Sequence, residues 1–372
     1  LALAEFGKKN IIDIEKIWHG IDCPYLSLFS WLTENASIPS INIENTFHPL
    51  MLANPITEKD FLNLNPKTFI AEWKWDGIRV QIIVKNFIVK IFSRAGDNIS
   101  VSFPDININE EKLTVLDGEL LVGKNFQPMK FNFLQQRLNR KNVLINHLRE
   151  YPAFIKLYDI LYFKNKDVRE KKWYLRRKIL EKWFEVNKNK CLDLSTVMNF
   201  SSWDCLKKIK LNKIQDDKHE GLMLKKITSK YIPGRPQGFW YKWKKNPKVI
   251  DAIMMYAQRG HGKRSSYYSD FTFGLWDEKV IVPICKAYFG FDDKELKIMD
   301  EYVRKNTINK FGPVREVKKN FVVELAFDSV NKSNRHKSGL ALRFPRIKRI
   351  RLDKPSVEVI NLIKFKKEFN ID

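Results

Sequence analysis

Cysteine is scarce in this sequence, and no two cysteines lie close together. Cys23, Cys191, Cys205 and Cys285 are widely separated and form no CxxC pair. This spacing excludes a zinc finger and gives no indication of a disulfide framework. Apolar runs are also short, well below the roughly eighteen residues that cross a bilayer. The opening "LALAEFGKKN" is too short and wrongly flanked for a signal peptide, so we expect a soluble cytoplasmic protein with no membrane partner.

An initiator methionine is also missing, because the chain begins at Leu1. We therefore expect the chain to begin partway through a longer protein. Its 372 residues exceed the usual single core and predict two domains, with part of a third. Basic residues outnumber acidic ones by 67 to 43, for a formal charge of +24. This charge favours a polyanionic partner, because neutralised phosphates release counterions, although a lysine-, asparagine- and isoleucine-rich composition would raise the charge without any ligand.

The hydrophobic pattern divides the chain into three parts. Residues 1–45 carry a helical pattern at "IIDIEKIWHGI", which indicates the C-terminal remnant of a helical domain plus a linker. Residues 46–247 mix period-two stretches, such as "IRVQIIV" and "FIVKIFS", with helical ones such as "NFLQQRLNRK", and predict an α+β domain of antiparallel sheets and helices. Residues 248–372 hold several short strand candidates and one helix candidate, a pattern consistent with an OB-fold β-barrel.

The stretch "EWKWDGIRVQ", residues 72–81, sets Lys74 between two tryptophans and ahead of an Asp-Gly turn signal. A lysine amine with an unperturbed pKa of about 10.4 is neutral in only ~1 in 10³ molecules at pH 7. Desolvation by Trp73 and Trp75 and the charge of Arg79 would lower that pKa and create a nucleophile. The stretch therefore indicates an activated lysine on a cleft wall; the simpler alternative is a surface lysine beside a turn.

Two carboxylates and two cations accompany this lysine. Glu119 in "LDGEL" and Glu220 in "HEGLMLK" are suited to a hard, oxygen-liganded cation such as Mg²⁺, although each alone is more often a solvated acid or an ion-pair partner. In "WYKWK" the strand period turns Lys242 and Lys244 to one face together with Trp240. Because adjacent cations repel each other, we expect their shared target to be phosphate.

Basic residues also crowd the C-terminal stretch "HKSGLALRFPRIKRIRLDKP", where Arg351 and Lys354 bracket Asp353. A charge run is usually a solvated face, but this run alternates with Leu, Phe and Ile. Half of it is therefore expected to pack, and the other half to present its cations in order. His219 and His336 flank these motifs, but a histidine there is more often a hydrogen-bonding spacer, so we assign neither a role.

Seven segments in order and spacing, "KWDGIR", "FSRAGD", "LDGEL", "LYDILY", "HEGLMLK", "WYKWK" and "RLDK", resemble the nucleotidyltransferase motifs of ATP-dependent DNA ligases. The resemblance covers about residues 46 to 360. The "FNFLQQRLNRK" and "RHKSGLALRFPRI" stretches are similar to the bacterial branch of the family. The resemblance implies an adenylation domain joined to an OB-fold, often behind an N-terminal helical DNA-binding domain, of which residues 1–45 resemble only the last part.

The resemblance also implies a reaction. Lys74 attacks the α-phosphorus of ATP and keeps the AMP, which then passes to the 5′-phosphate of a nick before the 3′-hydroxyl seals the strand. Glu220 is the metal-associated carboxylate for Mg²⁺ or Mn²⁺, and Glu119 serves either that metal or the ribose. Other implied contacts are to the adenine (Glu72, Tyr158), the ribose (Arg79), the phosphates (Arg94, Lys242, Lys244) and the pyrophosphate leaving group (Arg351, Lys354).

By the same resemblance we expect a monomer that binds ATP and nicked double-stranded DNA near the bacterial nucleoid, in DNA repair, recombination or replication. The expected OB-fold swings toward the nucleotide for the first step only. Two enzyme alternatives share a lysine followed by Asp-Gly: an RNA ligase and an mRNA-capping guanylyltransferase. A non-enzyme alternative is an OB-fold DNA-binding protein that has lost catalysis. An NAD-dependent ligase is disfavoured because its cysteine-rich zinc module has no counterpart in the sequence.

Overall fold

The computed structural model describes the chain except residues 22, 34–35, 42–45, 139, 141, 213–217, 334–335, 370 and 372, and the side chains of residues 12 and 263. The chain divides into two compact units, Leu1–Lys245 and Asn246–Asp372. Within the described part, no helix is both long and apolar enough to span a bilayer. The predicted helix at 132–141 is short: it covers Phe131–Gln135, and residues 139 and 141 lie outside the described residues.

The first unit opens with three short helices and continues with two largely antiparallel sheets, in which β1–β12 and β7–β9 are the parallel pairs. The first three helices enclose an apolar cluster that includes Leu28, Trp31 and Leu32. The helices of this unit are α1 Ala2–Gly7, α2 Ile11–Trp18, α3 Leu26–Thr33, α4 Glu58–Asn63, α5 Phe131–Gln135, α6 Ile145–Glu150, α7 Trp173–Asn187 and α8 Trp203–Asn212. Its strands are β1 Asn54–Pro55, β2 Phe69–Trp75, β3 Ile78–Lys85, β4 Ile88–Ser93, β5 Thr114–Lys124, β6 Gln127–Pro128, β7 Ala153–Phe163, β8 Lys166–Asp167, β9 Leu192–Leu194, β10 Val197–Met198, β11 His219–Lys226 and β12 Trp240–Lys244.

Two sheets form the α+β part, in the orders β1-β12-β11-β2-β10 and β4-β3-β5-β7-β8. The predicted hairpin is confirmed as β3 and β4, and its turn places Asn86 and Phe87 at positive φ. Strand alternation gives the first sheet one apolar face, whereas the central strands of the second sheet, β3, β5 and β7, are buried on both faces. In the first sheet that face packs around Leu222, Leu224 and Tyr241. The opposite face is left for polar side chains.

The second unit is an OB-fold β-barrel with one helix between its halves. Its elements are β13 Lys248–Arg259, β14 Tyr268–Asp277, β15 Val280–Ala287, α9 Asp293–Asn306, β16 Thr307–Phe311, β17 Val314–Val317, β18 Val322–Phe327, β19 Ser329–Lys332, β20 Leu340–Arg343, β21 Arg346–Ile350 and α10 Leu362–Glu368. The long β13 pairs with β14, β17 and β18, and β18 pairs with β21. Ile347 N–H donates to Phe289 O at 3.0 Å and closes the ring after β15.

The helix between the barrel halves begins and packs as the sequence predicts. Asp292 and Glu295 form a reciprocal capping box at its N-terminus, which satisfies two otherwise unpaired backbone N–H groups. Leu296, Met299 and Val303 follow at helical spacing and are buried against the barrel. The strand candidates around this helix are confirmed by β14, β15 and β18.

A buried histidine makes the stability of the first unit sensitive to acid. His48 is 5% exposed, and its ring stacks on Tyr162 at 4.9 Å. Burial, reinforced by the positive charge of Arg169, lowers the pKa of His48 to about 4. The unfolded chain takes up this proton near pH 6.5, well before the folded chain does. The free energy of unfolding therefore falls as the pH falls from 6.5 toward 4, by up to about 3 kcal/mol from this group.

We expect His48→Gln to flatten the dependence of stability on pH across that window. Urea unfolding of both proteins at several pH values between about 7 and 4 measures the slope. His336→Gln, at an exposed position, is the matched control and should keep the slope of the wild type. If the slope for His48→Gln equals that of the wild type, groups other than His48 cause the loss of stability in acid.

Candidate active site

One face of the first sheet carries the predicted lysine and its companions. Lys74 on β2 pairs in register with Gly221 on β11, and Gly221 pairs with Lys244 on β12. Directly paired residues point to the same side of a sheet. One step along the strands, Glu72 shares that side with Lys242 through Met223, which pairs with both. The fold therefore gathers residues that are more than 140 positions apart in sequence.

A carboxylate meets the lysine directly. Lys74 Nζ lies 2.5 Å from Glu220 Oε2, and Lys244 Nζ lies 3.7 Å from the same oxygen. The side chains of Lys74 and Glu220 are 25% and 19% exposed, so the pair lies in an open cleft. Gly221, at φ +138°, leaves no room for a Cβ, which would lie 2.2 Å from Trp243 O. A glycine at that position allows the backbone of β12 to approach this closely.

Positive charge concentrates around Lys242 on the same face. Burial, followed by the charges of Arg235 and Lys244, lowers the pKa of Lys242, and Lys74 and Arg94 act in the same direction. Arg94 itself is exposed. This cluster is suited to an anion with several charges, because such an anion can contact several cations at once. Sequence reasoning missed Arg235, which lies in a loop without periodicity.

A buried ion pair lies deeper in the face. Lys225 Nζ contacts the Glu72 carboxylate at 3.1 and 3.2 Å, and both residues are almost fully buried. Burial raises the pKa of Glu72, and Lys225 opposes that effect. The Lys225 ammonium also lies 4.4 Å from the ring centre of Tyr158 and 4.8 Å from that of Trp240. The result is a small aromatic-walled recess beside Glu72, suited to a flat nitrogen heterocycle.

We expect Lys225→Met to destabilise the fold by about 3 to 5 kcal/mol, because Glu72 would keep a buried charge without its partner. The double variant Glu72→Gln/Lys225→Met should recover much of that loss. Urea unfolding of the wild type, both single variants and the double variant measures the coupling. Lys230→Met, which removes an exposed partner of Glu170, is the control and should cost less than about 1 kcal/mol. Simple additivity of the two single changes would contradict the coupling.

Arg79 on the second sheet lies against the same two rings, 5.9 Å from the ring centre of Tyr158 and 6.0 Å from that of Trp240. Its guanidinium donates to Asp117 Oδ2 at 2.6 Å, to Met51 O at 2.7 Å and to Tyr231 Oη at 3.1 Å. Burial alone would lower the pKa of Arg79, but Asp117 raises it above the ordinary value. The guanidinium is thereby fixed as a cation. Sequence reasoning found Arg79 but missed Asp117 and Tyr231, whose roles depend on this long-range contact.

Glu119 stands opposite Arg79 in the β3–β5 register. Burial raises the pKa of Glu119 to about 8, and the neighbouring carboxylates Glu220 and Asp117 add to the shift, against Lys74 and Arg79. Glu119 and Glu220 therefore lie close enough to repel each other. Burial likewise raises the pKa of Tyr158, which keeps its hydroxyl neutral.

The predicted role of the two tryptophans is wrong in part. Trp73 stacks on His219 with ring centres 4.0 Å apart and belongs to the apolar cluster on the other side of the sheet. Strand alternation turns it away from Lys74. Trp75 donates its indole N–H to Ser195 Oγ at 3.3 Å and lies 4.6 Å from Lys156 Nζ. The polar surroundings of Lys74 therefore come from Glu220 and the cations rather than from an aromatic frame.

The C-terminal cations belong to the second unit and share one carboxylate. Arg351 Nη1 lies 3.2 Å from both oxygens of Asp251, and Lys354 Nζ lies 2.8 Å from Asp251 Oδ2. Arg351 also donates to Asp353 at 2.9 Å through Nη2. The first and last strands of the barrel, β13 and β21, bring these groups together. His336 is exposed in the loop between β19 and β20.

Residues 50–244 match the family model of the ATP dependent DNA ligase domain, and residues 264–354 match that of the ATP dependent DNA ligase C terminal region. The chain belongs to the ATP-dependent DNA ligase family. It is 36% identical over 343 residues to a probable DNA ligase of Koribacter versatilis, covering 85% of this chain and 59% of that relative. It is 31% identical over 316 residues to a DNA ligase of Archaeoglobus fulgidus, covering 82% and 55%.

The chain thus spans little more than half the length of these curated relatives. A solved structure of a Lig E DNA ligase shares the fold with a TM-score of 0.58 at 18% identity, over 82% of this chain and all of that one. The family resemblance inferred from the motifs is confirmed, as is the expected pairing of a nucleotidyltransferase domain with an OB-fold. ATP is the nucleotide that this family uses.

Proposed function

We propose that this chain is an ATP-dependent DNA ligase that seals nicks in double-stranded DNA through a lysine–AMP intermediate. The observation that carries the proposal is the cleft in which Lys74 Nζ meets Glu220 at 2.5 Å, beside the Lys242 cation cluster and the Glu72–Lys225 recess. A nucleophile, an anion site and a heterocycle site on one face are what adenylate transfer requires.

In the first step, the Lys74 amine attacks the α-phosphorus of ATP. An N–P bond forms, the bond to the bridging oxygen breaks, and pyrophosphate leaves. Glu220 is placed to accept the proton that the ammonium loses, because it already hydrogen-bonds Lys74. Glu72 and Tyr158 hold the adenine, Arg79 holds the ribose, and Arg94, Lys242 and Lys244 hold the phosphates, while Glu119 serves either the ribose or the metal.

In the second step, the 5′-phosphate at a nick attacks the lysine-bound AMP and releases Lys74. In the third, the adjoining 3′-hydroxyl displaces AMP and closes the strand. Arg351 and Lys354 act in the first step, where they orient the pyrophosphate. We also assign residues 1–45 to the C-terminal remnant of a helical DNA-binding domain plus a linker, residues 46–247 to the adenylation domain and residues 248–372 to the OB-fold. The protein acts as a monomer near the nucleoid.

Glu119 and Glu220 fit a divalent cation in part. They offer only oxygen ligands and lie close enough to raise the pKa of Glu119. Among the described residues, however, no group of three or more His, Cys, Asp or Glu side chains could hold a metal by itself. Mg²⁺, or Mn²⁺ in its place, would therefore be bound jointly by these carboxylates and the phosphates of ATP, and it would neutralise charge on the leaving group.

Incubation of the protein with α-labelled ATP, GTP or NAD in parallel, followed by a nicked duplex, tests the proposal. We expect label from ATP alone to stay on the chain and then to move to DNA as sealing proceeds. Labelling from GTP would favour a capping guanylyltransferase, and transfer to nicked RNA alone would favour an RNA ligase. DNA binding without any labelled chain would favour a non-catalytic DNA-binding protein.

A further inference from the structure

A groove of about 230 Å³ lies at one end of β2 and β11, on the side of the first sheet opposite Lys74. It is lined by Trp73, Trp75 and Phe126 together with Lys156 and Lys218. Among its described lining residues none is acidic. No step of the mechanism above uses this groove.

The groove combines aromatic surface with positive charge. Trp73 is backed by the His219 ring at 4.0 Å, and Phe126 is backed edge-on by Phe154 at 5.7 Å. These contacts fix the rings that form the wall. Lys156 is 7% exposed and lies 2.5 Å from Asp193 Oδ2, so its charge is largely neutralised within the protein.

Lys218 differs from Lys156 because it is exposed. Its Nζ donates a hydrogen bond to Oε1 of Gln127 at 3.1 Å, and this neutral partner positions the ammonium. Lys218 also lies two residues before Glu220, the carboxylate that contacts Lys74. The exposed cation of the groove is therefore linked through the backbone to the reactive cleft.

We propose that this groove binds one sugar–phosphate unit of the DNA strand beside the nick, with the deoxyribose against the aromatic wall and the phosphate on Lys218. The inference rests on the proposed function and names where its polyanionic substrate is held. The volume suits about one nucleotide unit, an exposed lysine supplies one phosphate contact, and the aromatic wall offers the sugar an apolar surface to pack against. The triphosphate of ATP has its own cations around Lys242, on the other side of β2.

The test measures binding of the full chain to a nicked duplex whose 3′ end is a dideoxynucleotide, without ATP, at several salt concentrations. Lys218→Gln should lower the magnitude of the slope of log Kd against log salt by about 0.9, the value for one lost phosphate contact. Lys218→Arg should restore the slope. Phe126→Ser should raise Kd about tenfold with the slope unchanged, because it removes packing rather than charge.

Lys182→Gln, on the exposed side of α7, is the matched control. It does not line the groove and should leave both Kd and slope close to the wild type. Self-adenylation with ATP should be the same in all these variants. An unchanged slope in Lys218→Gln would overturn the proposal while leaving the ligase assignment intact. Loss of self-adenylation with normal DNA binding would assign the groove to ATP instead, and a wild-type chain that never takes label would refute the proposed function separately.

Discussion

Replacing Lys74 with alanine is expected to abolish transfer of label from α-labelled ATP to the protein, a loss of about 10⁴-fold or more. The amine is the only atom of that side chain that can form the N–P bond, and Glu220 at 2.5 Å would lose the group whose proton it is placed to accept. The measurement is the rate at which labelled AMP appears on the denatured chain. Sealing of an unmodified nick should disappear in parallel.

Lys74→Arg should fail as well, because a guanidinium keeps its charge and is a poor nucleophile. Lys226→Ala is the matched control, since it lies on β11 in register with Phe69 at the other end of the sheet. It should take up AMP at close to the wild-type rate. Persistent labelling of the Lys74→Ala protein would transfer the nucleophile's role to another residue.

Replacing Arg351 with alanine is expected to slow self-adenylation about 100-fold while barely changing the sealing of a nick that already carries AMP. A residue that stabilises the leaving pyrophosphate contributes only where pyrophosphate leaves, and one such contact is worth roughly 10²-fold or more. Lys354→Ala should behave in the same way with a smaller effect, because lysine makes no bidentate contact. Single-turnover assays of the two steps, with labelled ATP and with preadenylated DNA, measure the difference.

Lys348→Ala provides the control from β21, the strand that ends just before Arg351. Lys348 pairs with Glu324 at 2.7 Å and has no proposed part in either step. Its rates in both assays should stay within about twofold of the wild type, since it contacts neither the nucleotide nor the leaving group in the proposed mechanism. Equal losses of both steps in Arg351→Ala would point instead to a damaged barrel, which urea unfolding of that variant would reveal.

Motif order was enough to find Lys74, Glu220, Lys242 and Lys244, and strand periodicity places Lys74, Lys242 and Lys244 on one face. Glu220 departs from that period, because the register between β2 and β11 shifts between His219 and Gly221. Periodicity was also sufficient for the β3–β4 hairpin and for α9. In these cases the information is local, and each element carries its own signal.

Other features depend on partners far away in the chain. Lys225 resembles an ordinary strand lysine until Glu72, 153 positions earlier, lies beside it. The role of Asp117 depends on its contacts with Arg79 and Tyr231. The role of Asp251 depends on two cations about a hundred positions later. The misassigned environment of Lys74 has the same origin, since neighbours in sequence point to opposite sides of a strand. Pairing of strands, rather than adjacency, decides which groups meet.

Asp251, the carboxylate that Arg351 and Lys354 share, competes with any anionic ligand for these two cations. An incoming anion must draw both cations from Asp251, and Arg351 from Asp353 as well, so a single phosphate gains little by the exchange. A polyphosphate can pair with both cations at once and so replace the ion pairs that they lose. The barrel is thereby biased against holding a lone DNA phosphate with these two side chains and toward a ligand that carries adjacent charges.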